Sequence, residues 1–233
     1  TVHPIEHVNM HQSTNDTYGT ALKIAVLFEL KRLGPIIESV QGAFQKKEKE
    51  FTEILTLGRT EMQNAVPITL GTQFSSFAGA VTRDRWRVFK CEERIRVVNI
   101  GGTAVGTGLS APRSYIFCVI EKLRSLTGLG IARAENMADN TANSDALVEV
   151  SGILKAHAHN LIKISQDLRL LHFMHEISLP AVQTGSSVMP GKINPVISEA
   201  VMQCGMKVIA NDYLITEACS RASLQLNEFL PVV

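Results

Sequence analysis

The stretch Gly185-Ser186-Ser187-Val188-Met189-Pro190-Gly191-Lys192-Ile193-Asn194-Pro195 carries the densest set of chemically capable side chains in the chain. Glycines at both ends permit a loop that closes over a ligand and reopens. Two adjacent serines, a lysine and an asparagine supply donors at the mouth of the next predicted helix, whose N-terminus adds partial positive charge. Such a loop suits an anion. A second group, Ser13-Thr14-Asn15, stands at the head of a long apolar segment. By residue type alone its hydroxyls read as ordinary N-caps. Residues 62–82, 97–112 and 177–191 are the longest uncharged stretches, and all are rich in Gly, Ser and Thr. Residues 101–108 (GGTAVGTG) have phosphate-loop glycines but lack the following Lys-Ser/Thr, which excludes a P-loop. His157 falls on an apolar helical seam and reads as a packed core histidine.

The elements that must position these groups are helices. Leu147, Val150, Leu154, His157, Leu161, Ile164, Leu168 and Leu171 repeat at spacings of three and four, the seam of a coiled-coil-like helix. A helix of that length is a rod of ~37 Å, so an elongated bundle is expected. Residues 16–33 are apolar almost all round and predict a buried central helix. Gly34-Pro35 is expected to break or kink it before residues 36–51 resume the pattern. Phe74, Phe77, Val81, Val88 and Ile95 stripe a third helix, with Trp86 facing elsewhere, and residues 114–126 and 195–215 complete the set. Strand-like alternation is scarce. The expectation is an all-α bundle of about five long helices.

Composition narrows the function classes. The chain has 233 residues, and 23 Lys+Arg against 22 Asp+Glu leave a formal net charge of +1, which argues against nucleic-acid binding through broad basic surface. Hydrophobic residues make up 45%, enough for a large core, while charged residues are 19%, low enough to suggest that other subunits cover part of the exterior. Cys91, Cys118, Cys204 and Cys219 lie far apart without metal or disulfide spacing and read as reduced thiols. No apolar run reaches the ~18 residues of a membrane span. A cytoplasmic location is expected.

GSSVMPGKINP closely resembles the GSSxMPxKxNP hallmark of the aspartase/fumarase superfamily. HVNMHQSTNDTYGTALKIAV (residues 7–26), GRTEMQNAVPITLG (58–71, a loop by that resemblance), GGTAVGTGL (101–109) and LQLNEFLP (224–231) resemble further motifs of that family, in the expected order. The overall pattern is most similar to its aspartate ammonia-lyase branch, with class II fumarases next. The resemblance implies a reversible β-elimination. A base removes the proton beside a carboxylate, an aci-carboxylate forms, the group on the adjacent carbon leaves, and fumarate results. No metal or organic cofactor is required. The protein must supply donors whose hydrogen bonds strengthen as charge develops.

Carried over by position, the resemblance makes Ser186 the base, with Lys192 and the loop amides stabilising its alkoxide. Ser187 donates to the aci-carboxylate. Ser13, Thr14 and Asn15 bind one carboxylate, Asn194 with Lys192 holds the other, and Thr60 lies close to the substrate. Glu61 stands where fumarases, and some ammonia-lyases, carry histidine; a carboxylate there could attract the ammonium of aspartate and would repel a purely anionic ligand. Glu199 is expected behind the site. The sequence departs from the family at Ile5 and Glu6, at Asn64, at Gln166, and after Leu171, where an SSGPRxG-like turn is replaced by a shorter segment. The resemblance further implies that residues 1–233 are the family's central helical domain without its N- and C-terminal domains. The implied assembly is a homotetramer with sites shared between subunits, acting on a small dicarboxylate, L-aspartate or fumarate. The alternatives are a fumarate hydratase and a catalytically inactive helical fragment.

Overall fold

The computed structural model describes residues 1–233, 63% of them helical. In chain order the elements are α1 (Thr14–Glu50), β1 (Leu55–Thr60), β2 (Gln63–Thr69), α2 (Leu70–Ile95), β3 (Val97–Val98), α3 (Arg113–Thr127), β4 (Ala132–Arg133), α4 (Met137–Ala142), α5 (Asp145–Phe173) and α6 (Val196–Ser220). The five long helices match the expected set. The two small sheets, antiparallel β1–β2 and parallel β3–β4, are additions to it.

Two local expectations are corrected. Gly34-Pro35 does not end the first helix: α1 runs through Pro35 for 37 residues, at the cost of the one backbone hydrogen bond that proline cannot donate. Residues 58–71 are not a loop. Most of them form the β1–β2 hairpin, paired from Leu55↔Thr69 to Thr60↔Gln63 with an irregularity at Gly58. Their side chains are largely exposed, so no alternation of apolar and polar residues announces the strands.

The chain divides into two compact units. One comprises residues 1–34, 88–152 and 212–233, the other residues 35–87 and 153–211. Helices α1, α2, α5 and α6 each contribute one end to each unit. In the first unit Val98, Ile100 and Ile120 form a buried cluster, supported by Val119 and Leu123. In the second, Phe44, Phe51, Phe74 and Phe77 pack with ring centroids 5.2–6.3 Å apart in tilted and edge-on pairs, a favoured geometry for stacked quadrupoles. The α2 stripe is buried throughout, and Trp86 does face outward. On α5, Leu147, Val150, Ile164 and Leu171 are buried while Leu154, Leu161 and Leu168 are only half-buried.

Candidate active site

In the first unit the candidate residues are built around the start of α1. Ser13 caps the helix: its Oγ accepts the amide of Asn15 at 3.1 Å, and Asp16, three residues on, accepts the amide of Ser13 at 3.0 Å. This is a capping box with aspartate as the returning acid. The cap occupies a lone pair on Ser13 Oγ and leaves its proton able to donate elsewhere. Thr14 Oγ1 lies 3.4 Å from Asn15 Oδ1, and Asn15 Nδ2 donates to the carbonyl of Ala104 at 2.6 Å.

The residue that positions this triplet escaped the sequence reading. Asp16 is fully buried, and its other oxygen accepts the amides of Gly101 (3.1 Å) and Thr103 (2.9 Å). One carboxylate thus ties the start of α1 to the glycine-rich 101–108 segment. Burial pushes its pKa up, opposed by these backbone hydrogen bonds. The segment's glycines serve close packing rather than phosphate. Gly106 has φ +81°, and a Cβ there would sit 2.3 Å from the Ala138 backbone. Asn99 completes the support, donating to Asn15 O and Thr141 Oγ1 and accepting from Thr20 Oγ1. Nearby Lys23 is buried, donates to Val97 O and Asn140 Oδ1 at 2.9 Å each, and has its pKa lowered by burial to about 8.

In the second unit the loop preceding α6 is closed by Gly185 N–H donating to Lys192 O at 2.8 Å. A Cβ on Gly185 would sit 2.6 Å from that carbonyl oxygen and 3.0 Å from Asn194 Oδ1, so only glycine permits Asn194 to approach. Ser186 follows immediately and is half-buried. Its Oγ accepts two backbone amides, Val188 N at 3.1 Å and Met189 N at 3.0 Å. Two amides aimed at one hydroxyl oxygen favour negative charge on it. Ser187 and Lys192 are exposed on the same loop, and Asn194 is half-buried.

Thr60 and Glu61 lie at the tip of the β1–β2 hairpin. Glu61 (φ +51°) and Met62 (φ +59°) form a two-residue turn with both residues left-handed, a conformation that favours Asn-Gly. The hairpin is held from its base. Thr56 Oγ1 donates to Glu176 Oε2 at 2.6 Å, and Arg59 pairs with Glu176 Oε1. Arg59, then Thr56, lower the Glu176 pKa against a raising effect of burial. Glu176, just after the end of α5, thus anchors the hairpin through both of its oxygens. Glu199, in the first turn of α6, lies 3.7 Å from Arg169 and turns toward that side chain. No hydrogen bond or ion pair joins the hairpin tip to the Ser186 loop. Nor do any three His, Cys, Asp or Glu side chains converge as a metal site would require.

His157 packs as expected but is not apolar in its surroundings. Its Nδ1 lies 3.0 Å from Oδ2 of fully buried Asp84, whose two oxygens also accept from Asn160 at 2.8 and 2.9 Å.

The hallmark segment, the capped triplet and the glycine-rich segment coincide with a family profile described as lyase, which matches residues 1–210. The chain belongs to the aspartase/fumarase superfamily of lyases. It is 43% identical to aspartate ammonia-lyase from Helicobacter pylori, over 99% of this chain and 50% of that one. Against the Bacillus subtilis enzyme of that name the identity is also 43%, over 99% and 50%. Among solved structures, a fumarate lyase:delta crystallin from Brucella melitensis superimposes with a TM-score of 0.93 at 41% identity, covering 99% of this chain and 51% of that one. A class II fumarase from Schistosoma mansoni gives 0.88 at 30%, covering 100% and 53%. This superfamily member thus spans about half the length of the curated relatives it matches. None of its helices is long and apolar enough to cross a membrane.

Proposed function

We propose that this chain carries the central elements of an aspartate ammonia-lyase, eliminating ammonia reversibly from L-aspartate to give fumarate. The observation that carries the reading is Ser186, whose Oγ rests on two backbone amides at 3.0–3.1 Å. A serine hydroxyl is a poor base unless its anion is stabilised, and those amides supply that stabilisation without reorganising. Ser186 takes the proton from the carbon next to the substrate's side-chain carboxylate. The electron pair left behind spreads onto that carboxylate as an aci-carboxylate, which Ser187 and the loop donors hold. The pair then returns to form the carbon–carbon double bond as the C–N bond breaks and ammonia departs with its electrons. Ser186 gives its proton back to solvent.

Lys192 and Asn194 are assigned one carboxylate of the substrate and Ser13, Thr14 and Asn15 the other, with Thr60 assigned a place close to the substrate. Glu61, lifted on a strained turn tip, faces the ammonium. A carboxylate ~4 Å from a cation contributes about 4 kcal/mol at an effective dielectric of 20 before desolvation reduces it. This favours aspartate over malate. Glu199 acts from behind, through its pairing with Arg169. The higher identity to aspartate ammonia-lyases than to the class II fumarase supports the same choice.

The reading includes a homotetramer whose sites draw on more than one subunit, with this chain as the central helical domain. Its support is apolar side chains left open, which a partner would cover: Phe117, Ile197, Met206 and Tyr213 are each more than half exposed. The test is fumarate absorbance with L-aspartate and with L-malate, with sedimentation to fix the assembly. Faster production from malate replaces the ammonia-lyase by a fumarase. Assembly without turnover on either substrate leaves the inactive helical domain as the reading.

A further inference from the structure

Within the first unit, a cavity of about 320 Å³ is lined by the glycine-rich segment, by α3 and by the connection from β4 into α4. None of the residues assigned to the elimination lines it. Arg133, the last residue of β4, and Glu135 both do. They flank Ala134, which is buried while they are exposed, the alternation of a strand that sends its first and third side chains from one face. Neither charge forms an ion pair or a side-chain hydrogen bond, with the other or elsewhere in the chain; Arg133 lies only against the Phe117 ring, 5.3 Å from its centroid. The backbone amides of Gly106 and Thr107 line the same cavity and donate no hydrogen bond within the chain. Asn136 accepts the amide of Asp139 on its Oδ1, which leaves Nδ2 as a further donor. Ile116 and Met137 are the apolar part of the lining.

One cation and one anion left unpaired at a single cavity select for a ligand that carries both charges. A guanidinium fork matches a carboxylate in pairs, and successive backbone amides add donors to the same anion. Glu135 attracts an ammonium and repels a ligand that is only an anion, while Arg133 repels one that is only a cation. The volume is at the small end of the range for small-molecule sites. One wall is already fixed: Asp16 accepts the amides of Gly101 and Thr103, and Asn15 donates to the carbonyl of Ala104. Little ordering of that wall is then left for a ligand to bring about. We infer that this cavity binds a zwitterionic α-amino acid with an apolar side chain. Its carboxylate rests on Arg133 and the Gly106 and Thr107 amides, its ammonium on Glu135, and its side chain against Ile116 and Met137. The site is separate from that of the proposed elimination, since such a ligand lacks the second carboxylate that L-aspartate carries.

Calorimetry on the full chain tests this with L-valine and L-methionine as probes, and with two relatives of valine that each lack one charge. L-Valinamide has no carboxylate, and the α-oxo acid of valine has no ammonium. The expected result is saturable binding of an amino acid, with the amide and the oxo acid each weaker by about 10-fold or more. Arg133→Ala and Glu135→Gln, both at exposed positions, weaken amino-acid binding by a similar factor, since each removes a charge-assisted contact. Lys122→Ala, an exposed lysine that does not line the cavity, stays within about two-fold, and circular dichroism checks the fold of every variant. Excess fumarate leaves amino-acid binding in place. Four results overturn the proposal: no saturable binding of either amino acid below about 1 mM, binding of the amide or the oxo acid as tight as that of valine, unchanged binding by a folded Arg133→Ala or Glu135→Gln variant, or displacement by fumarate.

Discussion

Met62→Gly should make the protein more stable while removing a side chain. Met62 occupies the second position of the hairpin turn with φ +59°, and its side chain is 74% exposed. The left-handed conformation costs a non-glycine residue about 1–2 kcal/mol, whereas glycine adopts it freely. Against that gain stands the extra chain entropy that glycine loses on folding, roughly 0.5–1 kcal/mol. Little burial is forfeited because little exists. The net expectation is a stabilisation of about 0.5–1 kcal/mol, read as a higher urea midpoint with an unchanged slope. Met62→Val should move the midpoint the other way, because branching at Cβ makes the left-handed well harder to occupy. A lower midpoint for Met62→Gly would refute the reasoning and show that the methionine is covered in solution. The proposed role of Glu61 adds a cost: a relaxed tip holds the carboxylate less firmly, so KM for L-aspartate should rise.

Glu176→Gln should loosen the hairpin by removing the anionic partner of Arg59 and Thr56, which limited proteolysis between residues 55 and 69 reads directly. Because Arg59 and Thr56 hold the Glu176 pKa below its usual value of 4.5, its contribution is present above that pH and is lost as pH falls through the depressed value; the variant should lack that acid-limb loss. Lys23 has the opposite sense. Burial lowers its pKa from 10.5 to about 8, so the unfolded chain binds more protons between those values and stability contributed by this group rises across that window. The gain totals about 3 kcal/mol. Urea unfolding at pH 7.5 and 10 should show it in the wild type and not in Lys23→Met.

The sequence makes the helices legible for a plain reason. Apolar residues at spacings of three and four mark one face, and Phe74, Phe77, Val81, Val88 and Ile95 are all buried as that spacing requires. What spacing cannot state is the partner. Leu154, Leu161 and Leu168 share the α5 seam with Leu147 and Ile164, yet only the latter pair is buried within the chain. The hairpin was hidden because its outward side chains carry no alternation, and Gly58 and Pro67 read as loop residues. Within the candidate site, residue types at 13–15 and 185–194 were readable, including the need for glycine at 185. The two amides on Ser186 Oγ were not, since a backbone nest has no sequence code. Asp16, Asn99 and Glu176 were missed for a related reason. Their long-range partners lie 42 to 120 residues away in the chain, and a buried carboxylate looks like any surface acid until those partners are placed.

The claim on which the account rests is that Ser186 is the base of an elimination. Ser186→Ala leaves the loop closure between Gly185 and Lys192 in place and deletes only the hydroxyl. Fumarate formation from L-aspartate should fall by about 10²–10⁴-fold or more, the usual cost of losing a proton-transfer group, with sedimentation and thermal unfolding unchanged. Turnover within about ten-fold of the wild type, less than that cost, in a variant of unchanged assembly would contradict the account and require another base.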